Sequence, residues 1–494
     1  MYLLGYDIGS SSIKAALVDA ASGKALAVVQ YPEMEMKIIA EQTGWAEQAP
    51  ETWWENVCVA TQKLLHQTGI SSNNIQSIGI SYQMHGLVLV DKNQKVLRPS
   101  IIWCDSRAVE VGNEAFEAIG QEKSLKHHLN SPGNFTASKL KWVKENEPDI
   151  YAQMDKMMLP GDYIAMKLTG ETCTTISGLS EGILWDFKEN EVAKLVLEEY
   201  GLDEKMIPEI RPTFSIQGKM TPAAATATGL VQGIPVTYRA GDQPNNALSL
   251  NVLKTGEVAA TGGTSGVVYG VVDKPVYDLQ SRVNGFAHVN YTKEKTQIGI
   301  LLCINGAGIQ YAWMRQHAAK SNISYPEMEE LATIIPIGSD GLSILPFGNG
   351  AERMLNNANI GSHICNLQLN QHGQAHLYRA ALEGIAFSFV YGIEILKEMG
   401  LDLSIMRVGN DNLFQSSIFA HTIATLVDSQ IDVVETTGAV GAAKASGVAS
   451  GVYASLEEAL KEVTVLRSYL PQKNDREAYR VAYVRWKGCL EKVM

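Results

Sequence analysis

The sequence predicts an α/β protein built from two similar domains that face each other. The chain has 494 residues, more than a single hydrophobic core usually organises. An apolar run at Tyr2–Tyr6 ends at Asp7 and a Gly/Ser turn, and further strand-like segments follow. A similar strand–turn–strand pattern recurs at Glu257–Gly270. We therefore expect one such unit in each half of the chain.

The first unit is a predicted three-stranded meander with an acidic residue at the tip of its first strand. Backbone N–H groups in a Gly/Ser turn can cradle phosphate oxygens, and a carboxylate beside them, here Asp7, can hold a metal ion. By itself the pattern is more often an ordinary hairpin turn. The candidate phosphate-binding residues are Gly9, Ser10, Ser11 and Ser12, and the later strands are Ile13–Val18 and Ala25–Val29.

The second unit repeats the turn but lacks the acid. When the two patterns are superimposed, Thr261 takes the place of Asp7, and Gly263 and Thr264 take the places of a Gly and a Ser. We expect both turns to bind phosphate, and only the first to provide a carboxylate for a metal. The alternative is a pair of unrelated hairpins, which is common in a chain with 43 glycines.

Composition restricts the possible partners. Apolar residues make up 46% and charged residues 19% of the chain, so large cores can form. The net charge of −12 argues against nucleic acid or an anionic membrane as the main partner. No apolar run approaches the roughly 18 residues of a membrane span, and no secretory signal is visible. The six cysteines are scattered without C-x-x-C spacing, so we expect a reducing, cytoplasmic environment.

Asp242 is the candidate general base. It follows the predicted strand Ile234–Ala240, and the carboxyl ends of strands in α/β sheets are where ligands collect. Gly241 leaves room for a substrate, and Gln243 adds a polar side chain. An Asx-turn or a helix cap is the structural alternative for this acid.

Two further segments contain candidate binding residues. Met84, His85 and Gly86 follow a short predicted strand, and a histidine there can hydrogen-bond a substrate hydroxyl, although it can equally be structural. Asp105 can form an ion pair with a neighbouring arginine, and Trp103 can be a core side chain. P-loop and dinucleotide fingerprints are absent from the sequence. A nucleotide would therefore bind through the two paired turns.

Taken in order, the motifs resemble those of the FGGY carbohydrate kinases, in the sugar kinase/Hsp70/actin superfamily. The resemblance extends from Met1 to about Gly451 and implies two ribonuclease H-like domains with a cleft between them. We expect residues 1–248 to form the sugar and metal/phosphate side and 249–494 the nucleotide side. The motifs are DIGSSSIK at the start, QMHG at 83–86, WCDSR at 103–107, GDY at 161–163, AGD at 240–242, TGGTSG at 261–266 and RAALEGIAF at 379–387.

The resemblance also implies residue roles. Asp242 would be the general base and Asp7 would act beside Mg²⁺, with ATP as the phosphoryl donor. The implied ATP-binding residues are Gly9, Ser10, Ser11, Ser12, Gly263, Thr264, Gly409 and Asn410. The implied sugar-binding residues are Met84, His85, Gly86, Trp103, Asp105, Asp242 and Gln243. The family's glycine-rich adenosine motif is replaced by Gly409-Asn410-Asp411-Asn412.

Within the family, QMHG resembles the xylulose kinase branch, which implies conversion of D-xylulose to D-xylulose 5-phosphate. The alternatives are a kinase for another ketose or a polyol, such as ribulose or a glycerol-like substrate, or a non-catalytic sugar or nucleotide sensor. A sugar and ATP are the expected partners, without nucleic acid or membrane, and homodimers are common among such kinases. We also expect the C-terminal stretch Leu456–Met494 to be helical.

Overall fold

The computed structural model describes residues 1–320, 322–410 and 412–494. Two mixed sheets, one in each half of the chain, are covered by helices. The expected α/β architecture with two related domains is therefore confirmed. Within the described residues, no helix combines the length and apolar character needed to cross a membrane.

The N-terminal half contains the six-stranded sheet. Its strands, with the short strands around them, are β1 (Tyr2–Ile8), β2 (Ile13–Asp19), β3 (Ala25–Tyr31), β4 (Glu47–Gln48), β5 (Ile75–Tyr82), β6 (Val88–Val90), β7 (Ser100–Ile101), β8 (Lys156–Met158), β9 (Cys173–Thr174), β10 (Trp185–Asp186), β11 (Glu191–Val192), β12 (Glu209–Ile210), β13 (Phe214–Lys219) and β14 (Pro235–Gly241). The sheet order is β13-β14-β5-β1-β2-β3. The first three strands form the predicted antiparallel meander, and β5 and β14 continue the sheet parallel to β1.

Helices of the N-terminal half cover this sheet and build the loops beside it. They are α1 (Pro50–Thr68), α2 (Val109–Ile119), α3 (Gln121–His128), α4 (Thr136–Asn146), α5 (Pro148–Gln153), α6 (Pro160–Thr169), α7 (Ile176–Glu181), α8 (Lys194–Tyr200), α9 (Pro222–Thr228) and α10 (Asp242–Ser249). The α1 helix buries Trp53, Val57, Ala60 and Leu64, which are spaced as one helical face, and it ends at the left-handed Gly69.

The C-terminal half contains the seven-stranded sheet. Its strands and a separate hairpin are β15 (Glu257–Gly262), β16 (Gly266–Val272), β17 (Asn284–Ala287), β18 (Ile298–Ile304), β19 (Ser343–Phe347), β20 (Gly361–Cys365), β21 (Ile405–Gly409), β22 (Ile431–Val434) and β23 (Val465–Tyr469). The order is β17-β18-β16-β15-β21-β22-β23. Here β15 pairs antiparallel with β16 and parallel with β21, as β1 pairs with β2 and β5. This correspondence confirms the repeat that the two turns predicted.

The helices of the C-terminal half are α11 (Gly308–Trp313), α12 (Tyr325–Thr333), α13 (Gln374–Glu398), α14 (Ser417–Val427), α15 (Gly438–Ala449), α16 (Leu456–Leu460) and α17 (Arg476–Glu491). The expectation of a helical C-terminal stretch is only partly correct. Residues Val465–Tyr469 form β23, which pairs antiparallel with β22 at the edge of the sheet.

Helix α15 belongs to the C-terminal half of the chain but packs on the N-terminal sheet. Small residues permit this close approach. A Cβ atom at Gly5 would lie 1.9 Å from the Ala439 carbonyl oxygen, and one at Gly79 would lie 2.0 Å from that of Ala442. One buried cluster accordingly includes Leu3 and Ala16 of the N-terminal sheet together with alanines of α15. The two halves are thus joined by a shared core at the base of the cleft.

Candidate active site

Asp7 lies on β1, at the centre of the N-terminal sheet. Its neighbours in register are Lys14 on β2 and Ser81 on β5. The Ser81 hydroxyl donates a 2.9 Å hydrogen bond to Asp7 Oδ1. The other oxygen, Oδ2, faces the start of α15, where a Cβ at Gly438 would come within 2.8 Å. Burial raises the pKa of Asp7, and Lys14 and Ser81 oppose that rise.

Asp242 begins α10, directly after β14, so the strand end predicted from the sequence is where the structure places it. Burial and then the charge of Asp7 raise the pKa of Asp242 to about 7. The backbone and side chain of Gln243 act in the opposite direction. The two residues also share a neighbour, because Asp7 Oδ2 and Asn245 of α10 both lie beside Gly438 at the start of α15.

Gly241 has a packing role that the sequence did not reveal. A Cβ at this position would lie 2.6 Å from both Glu181 Oε2 and Met84 Cγ. The glycine lets β14 pack tightly against these two side chains beside Asp242. Met84 itself is only 4% exposed, so its side chain packs behind the site and presents little surface to a ligand.

The donor set around Asp7 fits a divalent metal ion that is held partly by the phosphates of a bound ligand. Within the described ranges, no cluster of three or more His, Cys, Asp or Glu side chains is arranged as a preformed metal cage. Mg²⁺ is usually held in kinases by one or two carboxylates and by substrate phosphates. A single carboxylate with one oxygen turned away from Ser81 matches that mode of binding.

The first turn, between β1 and β2, is closed by a 3.1 Å hydrogen bond from Gly9 N to the Ser12 carbonyl oxygen. Gln48 Nε2 donates to the Ser10 carbonyl oxygen at 2.7 Å. Trp103 Nε1 reaches the Ser10 hydroxyl oxygen at 3.2 Å. Ser11 is exposed at the turn. Hydrogen bonds to Ser10 thus hold the turn in place, one from Gln48 and one from the loop that carries Trp103.

The second turn, between β15 and β16, borders a cavity of about 720 Å³. The carbonyl oxygens of Gly263 and Thr264 accept hydrogen bonds of 2.9 Å and 3.0 Å from the first residues of α11. Two tyrosines of the cavity wall, Tyr311 and Tyr325, stack with ring centroids 5.4 Å apart. The lining residues are Gly262, Gly263, Thr264, Gly308, Ile309, Tyr311, Ala312, Tyr325, Pro326, Glu329, Glu330, Leu413, Gln415 and Ser416.

Gly409 and Asn410, expected at the nucleotide, are not among these lining residues. Asn410 Oδ1 accepts a 3.0 Å hydrogen bond from Arg467, and its carbonyl oxygen accepts one from Gln415, which does line the cavity. Asp411, in the same motif, lies outside the described residues. The chain therefore reaches the cavity wall from residue 413 onward, a few residues later than the motif suggested.

His85 occupies the turn after β5, with a left-handed φ of 62°. Its Nδ1 lies 2.8 Å from the Glu181 carbonyl oxygen. Because a carbonyl oxygen can only accept, Nδ1 carries the proton and Nε2 is left as an acceptor. The ring packs edge-on against Phe135, with centroids 4.8 Å apart, and near Phe286 at 5.5 Å. Burial and then Lys139 lower the pKa of His85 to about 3, so the ring is neutral.

Phe286 lies on β17, so the histidine touches the C-terminal half of the molecule. Hydrogen bonds join the halves at the same place. The Ser177 hydroxyl donates to the Ala287 carbonyl oxygen at 3.1 Å, and Ala287 N donates to the Ser180 hydroxyl at 3.0 Å. His85 therefore lies where α7 meets β17, at the junction of the two halves.

The remaining expected sugar-side residues differ in accessibility. Trp103 is 53% exposed and is not a core side chain. Gly86 is buried, and a Cβ there would lie 2.6 Å from Pro160, so it is required for packing. Asp105 is fully buried; its carboxylate accepts from the Ala46 N–H at 2.6 Å and from Arg107 at 2.7 Å. The structure thus places Asp105 inside the loop, not on the cleft surface.

Several residues of the site were not identified from the sequence. Lys139 and Glu181 are both buried near His85, and neither stands in a motif that indicates chemistry. The wall of the 720 Å³ cavity was also missed, because its aromatic and acidic residues come from two helices, α11 and α12, that are separate in sequence. The one local sequence signal for the cavity was the glycine pair at Gly306 and Gly308. It forms a glycine-rich turn after strand β18, similar to the turn after β15.

Family models match both halves of the chain. The N-terminal domain of the FGGY family of carbohydrate kinases matches residues 2–249, and the C-terminal domain matches residues 258–450. The chain belongs to the FGGY family of carbohydrate kinases. Enzymes of this family use ATP with a divalent metal.

Individual FGGY kinases resemble the chain over nearly its whole length. The xylulose kinase of Bacillus subtilis is 28% identical, over 99% of this chain and 96% of its own. The L-xylulose/3-keto-L-gulonate kinase of Escherichia coli is 30% identical over the same shares. The crystal structure of a xyloylose kinase from Brucella ovis matches with a TM-score of 0.89 at 26% identity, covering 100% of this chain and 99% of that one.

Proposed function

We propose that this FGGY kinase transfers the γ-phosphoryl group of ATP to the terminal C5 hydroxyl of D-xylulose, giving D-xylulose 5-phosphate and ADP. The observation that carries the proposal is that Asp7 Oδ2 and Asn245 of α10, the helix that Asp242 begins, both lie beside Gly438 at the start of α15. One carboxylate stands beside a phosphate-binding turn and the other beside the sugar-side residues. Relatives named as xylulose kinases, 28% to 30% identical to the chain, support the choice of sugar.

Asp242 is the general base in this mechanism. It accepts the proton of the sugar hydroxyl while that oxygen forms a bond to the γ-phosphorus and the bond from phosphorus to the β,γ-bridging oxygen breaks. The transition state of phosphoryl transfer is loose, so positioning and charge neutralisation contribute most of the catalysis. A base whose pKa lies near 7 is well matched to this proton transfer at neutral pH.

Asp7 and the turn Gly9–Ser12 form the phosphate side. Asp7 Oδ2 would hold the magnesium ion, which supplies neutralisation of phosphate charge when it is bound. The turn N–H groups would point at the phosphates, opposite Gly263 and Thr264. The cavity between Tyr311, Tyr325 and the second turn has the size and the mixed apolar and polar wall expected for the nucleoside.

His85 would bind the sugar through Nε2, which is an acceptor in the tautomer that the Glu181 carbonyl oxygen selects. A sugar hydroxyl would therefore donate to this ring. Met84 gives an apolar wall, and the exposed indole of Trp103 lies at the mouth of the cleft. We assign Asp105 to holding the Trp103 loop, because its carboxylate is already occupied by Arg107 and a backbone N–H.

Replacing Asp242 with Asn tests the base. We expect Asp242→Asn to lower kcat by about 100-fold or more, the usual scale for loss of a general base, because the amide cannot accept the proton. Sugar and nucleotide affinities, measured by calorimetry, should stay within a few-fold of wild type. Near-normal kcat would remove Asp242 from this role.

A panel of sugars tests the substrate. We expect the highest kcat/KM with D-xylulose in an ADP-release assay that also includes L-xylulose, D-ribulose, 3-keto-L-gulonate and glycerol. Faster turnover of another panel member would reassign the substrate while keeping the kinase. Binding of sugar and ATP without any ADP release would instead indicate a sensor.

A further inference from the structure

Lys139 is a buried cation that the mechanism above does not use. It lies on α4 and has no exposed surface. Its ammonium group donates hydrogen bonds to two backbone carbonyl oxygens, those of His85 at 2.9 Å and Ile102 at 3.0 Å. These carbonyls belong to two segments that flank strands β6 and β7. One carries the histidine of the sugar side, and the other leads into the loop of Trp103.

The first of these segments is held in an uncommon conformation. His85 has φ of 62°, in the left-handed region that non-glycine residues seldom adopt. Three contacts fix it there: Lys139 binds its carbonyl oxygen, the Glu181 carbonyl oxygen accepts from its ring Nδ1, and Phe135 packs against the ring. The charge-assisted bond from Lys139 is the one that acts on the strained backbone itself.

The second segment connects the sugar side to the phosphate turn. The Ile102 carbonyl precedes Trp103, whose indole N–H reaches the Ser10 hydroxyl at 3.2 Å. Lys139 therefore binds, through one nitrogen atom, the backbone on both sides of the sugar position. Burial lowers the pKa of Lys139 to about 7, and Asp105 opposes this effect.

We infer that Lys139 is a positioning residue of the sugar site, which fixes the separation between His85 and the Trp103 loop without touching the sugar. The inference rests on the proposed sugar phosphorylation and assigns no chemical step to the lysine. Since small displacements of positioned groups are costly in catalysis, loss of the two hydrogen bonds should act on the sugar more than on the nucleotide.

Lys139→Met tests this inference, because methionine keeps the length of the side chain and removes its donors. We expect the KM for the sugar to rise about 10-fold or more, with the KM for ATP within about 2-fold of wild type. Lys139→Arg, which keeps N–H donors, should recover part of the lost sugar affinity. Lys144→Met is the matched control: Lys144 lies on the same helix and donates to the carbonyls of Tyr200 and Gly201, away from the cleft.

Amide hydrogen exchange gives a second readout that does not require turnover. Exchange at residues 83–87 and 102–106 should accelerate in Lys139→Met and not in Lys144→Met. If Lys139→Met does not fold, Lys139→Leu, which also lacks donors, is measured in both assays. An unchanged sugar KM and unchanged exchange in the folded Lys139 variant would overturn the inference. If wild type phosphorylates no sugar, the proposed function fails, and the exchange result still decides whether Lys139 orders these segments.

Discussion

At the scale of residues, the site depends on charged groups that are removed from water. Burial raises the pKa of both Asp7 and Asp242, and the charge of Asp7 raises that of Asp242 further. In the proposed mechanism, a bound cation would offset the cost of ionising Asp7, and the raised pKa would suit Asp242 to accept a proton. His85 shows the opposite case, because burial keeps its ring neutral and its hydrogen bond to the Glu181 carbonyl oxygen leaves Nε2 as the acceptor.

His85 should contribute to sugar binding and little to nucleotide binding. We expect His85→Ala to raise the KM for the sugar by about 10-fold or more, because one hydrogen bond to a positioned acceptor and the packing on Phe135 are lost. The KM for ATP should change by less than about 2-fold. Steady-state kinetics measures both constants. His66→Ala, at an exposed position near the end of α1, is the control, and equal sugar KM in the two variants would contradict the assignment.

His288 should make the folding stability depend on pH. Burial lowers its pKa from 6.5 to about 3. Below pH 6.5 the unfolded chain therefore binds a proton that the folded protein does not, so this residue's contribution to stability falls as pH falls toward 3. The slope is about 1.4 kcal/mol per pH unit.

The measurement is the free energy of unfolding in urea between about pH 6 and pH 4 for wild type and His288→Gln. Both proteins contain the same buried carboxyl groups with raised pKa, which make stability rise as the pH falls. The difference between the two proteins therefore removes their contribution. The variant should lose stability less steeply as the pH falls. Parallel curves for the two proteins would show that His288 is protonated in the folded state.

At the scale of elements, close contacts between backbones hold α15 on the N-terminal sheet. These contacts depend on Gly5 in β1 and Gly79 in β5. Gly441 of α15 is equally constrained, since a Cβ there would lie 1.8 Å from Ser249 Oγ on α10. Replacement of a hydrogen atom by a methyl group would force helix and sheet apart. The same contacts position Gly438 beside Asp7, so packing and site geometry are coupled.

Gly79→Ala tests this packing. The new methyl group would lie 2.0 Å from the Ala442 carbonyl oxygen, and backbone atoms cannot move aside cheaply. We expect the free energy of unfolding to fall by about 1–3 kcal/mol or more. Gly488→Ala on α17 is the control, since no atom lies within 4 Å of the added Cβ and alanine favours a helix by about 1 kcal/mol. Equal stability of the two variants would show that α15 can shift without cost.

The C-terminal stretch illustrates why element type is decided by tertiary partners. The apolar residues of Leu456–Met494 suit a helix, and two helices do form there. Between them, Val465–Tyr469 instead pairs with β22, because the open edge of the sheet offers backbone hydrogen bonds that local sequence does not encode.

At the scale of the whole molecule, two sheets that share a six-strand pairing order are joined by α10 and α15. His85, proposed to bind the sugar, lies where the two halves meet, through Phe286 and the α7–β17 hydrogen bonds, whereas the cavity proposed for the nucleoside is lined by the C-terminal half. Binding of both substrates would therefore favour a closed arrangement that excludes water from the phosphoryl group.

Small-angle scattering measures this closure. We expect the radius of gyration to decrease when D-xylulose and a non-hydrolysable ATP analogue are present together, and to decrease less with either alone. Closure is driven by contacts that both ligands make across the cleft, so a single ligand supplies only part of them. An unchanged radius with both ligands bound, as verified by calorimetry, would contradict a closing mechanism.

The sequence alone determined the parts of the protein whose chemistry is local. The acid–glycine turn of β1, its copy after β15 and the strand-end position of Asp242 each follow from a few consecutive residues, and the motif order indicated the family. The tertiary structure decided the contributions that come from distant segments. Lys139 donates to His85 and Ile102, Glu181 orients the histidine ring, and the 720 Å³ cavity is lined by the second turn, α11, α12 and the segment 413–416. Such contacts depend on how elements pack, and no local pattern of residue types specifies them.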